Sequence, residues 1–297
     1  MSEMSACDLC GSNRQSLRYR FGALDVWKCG ECGLVFLGKG AREQDPRVLY
    51  DTAYFTERGE YFLQQDDRDF QALSGEHIES FRQGLDRIEA AGKCRGRLLD
   101  LGCAVGVFLA LAKQRGWEVC GVDVSEFAAA RARERCQAEV YAGELSEIRF
   151  PDASFDVVTM WDVVEHCARP ASTLGEVHRI LKDDGLLLMD TPNEASLIRT
   201  VAYGLYRLFG GRMVYPARML YHPYHLYYFS EKTLRELARK CGFEVIELVR
   251  KPIPLQKGRG TRLERYLVKA FAAVERPLGM DYELLAILRK GRGSRPT

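Results

Sequence analysis

Near the start of the chain, four cysteines form two closely spaced pairs, Cys7-Asp8-Leu9-Cys10-Gly11 and Cys29-Gly30-Glu31-Cys32-Gly33, with 18 residues between the pairs. Two thiolates from each of two tight turns make a closed tetrahedral set, and the glycine after each pair lets the backbone turn without a Cβ clash. A set with no open ligand position suits structural zinc rather than a catalytic metal; iron is the other metal such knuckles accept. A second group of residues suits a nucleotide-type ligand. Gly102 and Gly106, in Leu98-Leu99-Asp100-Leu101-Gly102-Cys103-Ala104-Val105-Gly106, follow an apolar run and precede a helical pattern. A glycine turn in that place lets backbone N–H groups approach a ligand. Asp123 ends the next apolar run, 21 residues beyond Gly102, where a carboxylate can accept from ribose hydroxyls. An ordinary strand–helix turn would use the same residues, and the spacing does not separate one nucleotide cofactor from another. His166, His222 and His225 are the candidates for proton transfer near neutral pH.

The elements that must position these groups follow from periodicity. Leu17, Tyr19 and Phe21 alternate with polar residues as a strand would. Ile78, Phe81, Leu85 and Ile88 fall at helical spacing, and Gly92 stops that helix. From there strands and helices alternate: strand 97–101, helix 106–115, strand 118–122, a helix capped by Ser125, strand 139–142, strand 155–161, helix 171–181, and a strand 186–190 after the turn Asp183-Asp184-Gly185. This rhythm predicts a Rossmann-like, doubly wound α/β sheet. Late strands at 243–250 and 282–288 lack an intervening strand and can pair antiparallel at the sheet edge. The expected partition is a zinc ribbon over 1–40, a linker or lid rich in aromatics over 41–76, and a main domain over 77–297 carrying a helical lid insertion at 195–230.

The loop lacks the third glycine of a dinucleotide fingerprint and any further phosphate cradle. The stretch from Leu98 to Asn193 resembles the class I S-adenosylmethionine (SAM)-dependent methyltransferases. Asp100-Leu101-Gly102-Cys103 with Gly106 resembles that family's first motif and Gly121-Val122-Asp123 its second. Phe150-Pro151-Asp152, Ser154–Val158 and Val164-Glu165-His166 resemble the surroundings of its fourth strand, and Leu181-Lys182 with Gly185-Leu186-Leu187 the turn into its fifth. The resemblance implies a seven-stranded sheet with an antiparallel edge strand. It also implies that Asp100, Gly102, Cys103, Ala104 and Gly106 lie against the methionine part of SAM. Asp123 and Val124 would bind the ribose, Glu144 and Leu145 flank the adenine, and Trp161 and Asp162 cover the cofactor. Ala104 stands where many relatives have glycine, and Glu144 where they often have Asp. With Cys7, Cys10, Cys29 and Cys32 as zinc ligands, followed by Gly33–Leu37, Tyr50 and Tyr54, the chain resembles bacterial methyltransferases with an N-terminal zinc ribbon. Such proteins act on sugars, cell-envelope components or secondary metabolites.

On the acceptor side, the resemblance places His166 at the mouth after the fourth strand. His225 falls in a His-x-x-x-Phe-Ser segment before the late helix, and either histidine can serve as base or as scaffold. The insertion contains no Asp or Glu, but holds Arg199, Arg207, Arg212 and Arg218 among tyrosines, with Leu197, Val201, Leu205, Leu208 and Phe209 on one helical face. Such a stretch suits a membrane surface, a lid over a phosphorylated acceptor, or packing on the core. Residues 195–297 hold 20 Lys+Arg against 8 Asp+Glu, a net of +12, while the whole chain carries only +2. That asymmetry suits an anionic partner or pairing with the acidic N-terminal part.

The expected function is methylation of a small-molecule, sugar or glycan acceptor, phosphorylated or lipid-linked, at oxygen. Val164-Glu165-His166 and Thr191-Pro192-Asn193 also resemble ubiquinone-biosynthesis O-methyltransferases, which makes a quinone- or lipid-type acceptor the nearest variant. An rRNA methyltransferase using the ribbon to bind RNA, and a non-catalytic zinc and SAM scaffold, are the competing readings. Trp161-Asp162-Val163-Val164 replaces the Asn/Asp-Pro-Pro-aromatic run of amino-directed nucleic-acid enzymes, and the ribbon is not notably basic. The N-terminus lacks a signal-peptide pattern and no run of about 18 apolar residues occurs, so a cytoplasmic protein is expected, with peripheral membrane contact open to the insertion.

Overall fold

The computed structural model describes residues 6–21, 24–38, 45–50, 75–252 and 262–291. Eleven strands are present among them: β1 (Gln15–Phe21), β2 (Leu24–Cys29), β3 (Val35–Leu37), β4 (Arg97–Leu101), β5 (Glu118–Asp123), β6 (Glu139–Ala142), β7 (Phe155–Trp161), β8 (Leu181–Pro192), β9 (Tyr227–Tyr228), β10 (Phe243–Lys251) and β11 (Glu283–Lys290). Seven form one sheet in the order β10-β11-β8-β7-β4-β5-β6. The run from β8 to β6 is parallel, and β11 lies antiparallel between β8 and the edge strand β10. This is the α/β methyltransferase arrangement expected above. Strands β4, β5 and β7 are buried on both faces because helices cover each side, which is why their sequences are near-continuous apolar runs.

Two cores result. One holds Leu99, Val122, Val158, Leu187 and Leu234, and the other holds Leu85, Leu98, Phe108, Ala132 and Leu188. The helix Glu126–Cys136 approaches the sheet through Ala128, Ala129 and Ala132, all fully buried. That approach is what requires glycine at 106: with φ +81, an added Cβ would lie 2.9 Å from Cβ of Ala132.

In place of the expected turn at Asp183-Asp184-Gly185, the strand β8 runs on continuously from Leu181. Phe155 pairs with Leu181 but Val157 pairs with Leu186, so these residues bulge from a strand that begins earlier than its apolar run. Alternation in β1 is also interrupted. A register shift between Leu17 and Tyr19 leaves Leu17 37% exposed while Tyr19 is fully buried.

The ribbon sheet has the order β1-β2-β3-β9, so its fourth strand comes from the segment just after His225. The insertion helix Leu197–Leu208 packs on the core through a different face from the expected one, with Ile198, Tyr203 and Tyr206 partly buried there. Arg199 and Ala202 are its buried residues, while Val201, Leu208 and Phe209 are exposed. Of the expected linker, only 45–50 and 75–76 lie among the described residues; Tyr54, Phe55, Tyr61, Phe62 and Phe70 lie outside them.

Candidate active site and metal centre

The chain builds β4, β5 and β6 toward one edge, then returns to place β7 and β8 on the other side of β4. The crevice between the loops after β4 and β7 is therefore a topological switch point, where open α/β sheets bind ligands. The two loops touch: with φ +74 at Gly102, an added Cβ would fall 2.4 Å from Cγ2 of Val163. Beyond Gly102, Ala104 also adopts the left-handed region, with φ 45, and its N–H donates to Oδ2 of Asp123 at 2.8 Å. The N–H of Ser125 donates to Oδ1 of the same carboxylate at 2.9 Å. The bond from Ala104 offsets the cost of holding an L-residue left-handed, roughly 1–2 kcal/mol.

Asp123 keeps 7% of its surface exposed, and burial pushes its carboxyl upward against the two N–H groups that stabilise its charge. Each oxygen still has a lone pair for a ribose hydroxyl. Asp100, at the end of β4, is buried beneath the loop. Burial pushes its carboxyl up to about 8, against a 2.7 Å bond from the Thr159 hydroxyl. Cys103 points inward over Gly121, where an added Cβ would meet its sulfur at 2.8 Å. Val124 is half-buried between Asp123 and the helix cap Ser125, whose hydroxyl accepts from Ala128 N–H.

On the third-strand side Leu145 is buried in the core while Glu144 is exposed, its N–H donating to Oε2 of Glu147 at 2.8 Å. Asp162 is exposed, with φ 51. The Trp161 ring packs under the helix Gly75–Ala90, 4.8 Å from Phe81 and 5.3 Å from Phe108 between centroids. Gly84 admits it, since a Cβ there would sit 2.5 Å from the indole. Beside Trp161, Lys251 bonds the Asp190 carboxylate, lies 3.2 Å from Glu283 and donates to Ser80 at 2.9 Å.

The candidate histidines His166 and His225 meet. The rings of His166 and His225 lie 4.5 Å apart at 80°, although 59 positions separate them in the chain. A Glu165 carboxylate oxygen and one nitrogen of each ring lie within 4.8 Å of one another. His166 Nδ1 is 2.7 Å from the Tyr50 hydroxyl and 2.8 Å from the Tyr224 carbonyl. Burial pulls the His166 imidazole down to about 4, against the Tyr224 bond. Glu165 is fully buried, and its Oε2 accepts from Thr191 at 2.9 Å; burial pushes this carboxyl well above the usual range. The pairing of Tyr50 with His166 was not legible in the sequence, because the two are 116 positions apart. The Asp190–Lys251–Glu283 group left no local spacing signal either, since three different strands bring it together.

The four knuckle cysteines converge, with Sγ–Sγ distances of 3.6 Å for Cys7–Cys32 and 3.5 Å for Cys10–Cys29. Tetrahedral zinc with bonds of about 2.3 Å needs sulfurs about 3.8 Å apart, so the set fits that ion. No cation-repelling side chain belongs to the group, whose four ligand atoms lie within 4.8 Å of one another.

Residues 74–248 match the protein family described as methyltransferase domain. The chain belongs to that family. Among the methyltransferase's curated relatives is a "probable S-adenosylmethionine-dependent methyltransferase" of Mycolicibacterium smegmatis. It is 31% identical over 158 residues, which make up 52% of this chain and 55% of that protein. Another is the ubiquinone biosynthesis O-methyltransferase of Pseudomonas aeruginosa, 32% identical over 111 residues, which are 35% of this chain and 48% of the relative. The chain thus spans about half the length of these relatives. Magnesium protoporphyrin IX methyltransferase from Synechocystis PCC 6803, solved with bound SAH, shares the fold with a TM-score of 0.55. It is 18% identical, and the match covers 83% of this methyltransferase and 98% of that chain.

Proposed function

We propose that this methyltransferase transfers the methyl group of SAM to a hydroxyl of a small-molecule, sugar or glycan acceptor. The observation that carries the reading is the carboxylate of Asp123, fixed by two backbone N–H groups beside the Gly102–Gly106 turn at the switch point. The residues fit SAM: a buried carboxylate able to accept from ribose hydroxyls, held beside the Gly102–Gly106 turn, and no phosphate cradle in that turn. When bound, SAM supplies a methyl group already electrophilic on its sulfonium sulfur, so the protein's task is placement and proton removal. His225 takes the proton of the acceptor hydroxyl. His166, held neutral by burial, donates from Nδ1 to the Tyr224 carbonyl, and Tyr50 caps the same edge of its ring. A base with a pKa near 4 is a weak proton acceptor at pH 7, which favours His225 for that role. Cys7, Cys10, Cys29 and Cys32 hold a structural zinc ion.

The test is label transfer from methyl-labelled SAM to a panel of nucleotide sugars, glycans and quinols, with the His225→Ala variant alongside. O-methylated product, and at least a 100-fold fall in kcat with unchanged SAM affinity in the variant, are expected. Label on nitrogen or carbon, or full turnover without His225, would overturn the O-methylation mechanism.

A second reading, of a lipid-linked or quinone-type acceptor met at a membrane surface, is favoured by one specific observation. The tip of the insertion exposes Leu208 by 77%, Tyr215 by 65% and Met219 by 60%. Arg207, Arg212 and Arg218 are exposed among them, with no acidic residue anywhere in 195–230. Apolar side chains that reach into solvent between cations suit an anionic lipid interface. Among the described residues no helix is long and apolar enough to cross a membrane.

A further inference from the structure

The ribbon and the acceptor histidines are joined by a short chain of backbone bonds, and we infer that the four-cysteine knuckle positions His225 and His166 while leaving the cofactor loop alone. The inference rests on the acceptor-side role proposed above. Three residues after Cys32 the chain enters β3, whose Val35 and Phe36 pair with Tyr228 and Tyr227. Leu37 N–H donates to the Leu226 carbonyl at 2.9 Å, and Leu226 N–H donates to the Glu165 carbonyl at 2.8 Å. Leu226 adjoins His225 and Glu165 adjoins His166, so each histidine is one residue from this chain of bonds. The knuckle holds its near end, since Cys29 N–H donates to the Leu34 carbonyl at 2.9 Å.

A second tether runs from the ribbon to the insertion. Arg18, on β1, lies 2.8 Å from Glu194, with only 11% and 7% of the two side chains exposed. Tyr221 donates to both oxygens of Glu194, at 2.8 and 2.9 Å. The Arg18 guanidinium sits 4.3 Å above the Tyr203 ring, and Arg199 stacks between Tyr221 and Tyr228 at 4.8 and 4.9 Å.

The ribbon cannot supply this rigidity from its own core. Its strands span 7, 6 and 3 residues, and Tyr19, Val26, Val35 and Leu37 bury themselves against the insertion and β9 rather than against one another alone. Sheets this small depend on a staple, and a four-thiolate metal supplies one. The cofactor side is built differently. Gly102 and Cys103 bond Val122, while Asp123 bonds Ala104 and Ser125, so each of these contacts stays between the loop after β4 and the end of β5 with its following turn.

The experiment uses the full chain, zinc-loaded and then stripped with a chelator. It follows backbone amide exchange, carbethoxylation of the histidine rings, and SAM affinity by calorimetry. Stripping is expected to speed exchange at Leu226 and Tyr228 at least 10-fold. It should raise the labelling rate of His166 and His225 at least 5-fold relative to His178, and leave the SAM Kd within 3-fold; returning Zn2+ should reverse all of it. Should stripping unfold the whole chain, Leu37→Pro removes the single N–H that reaches Leu226 while keeping every thiolate. With zinc retained at one per chain, that variant should show the same split. Unchanged exchange and labelling in Leu37→Pro, or loss of SAM affinity in step with them, overturns the inference. Failure of the zinc-loaded protein to bind SAM overturns the cofactor reading instead.

Discussion

Asp123 shows how one side chain can hold the local fold and still keep lone pairs for a ligand. Its two oxygens hold Ala104 and Ser125 in place, and the remaining lone pairs are what the ribose would use. Charged hydrogen bonds contribute about 1.5–3 kcal/mol each, so Asp123→Ala should weaken SAM binding about 100-fold by calorimetry, with the α/β sheet retained in circular dichroism. Gly102→Ala is expected to be worse for the fold, since it combines a left-handed backbone with a clash against Val163. A loss of about 1–3 kcal/mol in denaturant unfolding should accompany weaker SAM binding. His166 carries the pH signature. Its folded pKa is depressed from 6.5 to about 4, so the folded state binds fewer protons than the unfolded one between these values. The stability it contributes is fully present above pH 6.5 and is lost as pH falls toward 4. NMR titration of the His166 ring should accordingly give a midpoint near 4, and a midpoint at 6.5 would show the ring open to solvent.

At the scale of elements, the contact of ribbon with insertion turns on one acid between two cations. Glu194 is 2.8 Å from Arg18 and 3.6 Å from Arg199; Glu194 and Arg199 are buried and Arg18 is partly so. Removing its charge leaves two guanidinium groups without a counterion, so Glu194→Gln should destabilise the protein by about 3–5 kcal/mol. Thermal melts read that loss directly, and a shift of less than 1 °C would show that the three tyrosine rings suffice. Periodicity revealed most of the elements of the main sheet and its helices. The helix Glu126–Cys136, its Ser125 cap and the β4–β7 strands were legible because their patterns are local. The burial of Arg199 was not. Its helix has an apolar face by spacing, yet Tyr228 of β9 and Tyr282 just before β11 draw Arg199 inward, and Val201, Leu208 and Phe209 of the apolar face are left outside.

For the whole molecule, the uneven charge acquires a location. Part of the +12 of residues 195–297 is gathered at Arg207, Arg212 and Arg218, around the exposed Leu208, Phe209 and Met219. Sedimentation with vesicles of phosphatidylcholine containing 30% phosphatidylglycerol tests the membrane reading. Binding should fall at least 10-fold in the triple Arg→Glu variant, which leaves the SAM site untouched. Equal binding to neutral vesicles, or none at low salt, would remove the lipid-surface reading and leave the free small-molecule acceptor.

What the sequence by itself determined was the local build of the proposed cofactor loop. Gly102, Gly106 and Asp123 lie within two consecutive strand–turn–helix units, where hydrogen bonds and steric limits act between residues close in the chain. The cysteine knuckles were readable for the same reason, since each pair of ligands sits in a single turn. Only the tertiary structure decided how the residues of the proposed acceptor side come together. Tyr50 meets His166, His166 meets His225, and β3 meets β9 across separations that no spacing rule encodes. Those contacts depend on how the sheets and the insertion pack, and packing is chosen by the whole molecule's burial of apolar surface and charge rather than by any single segment.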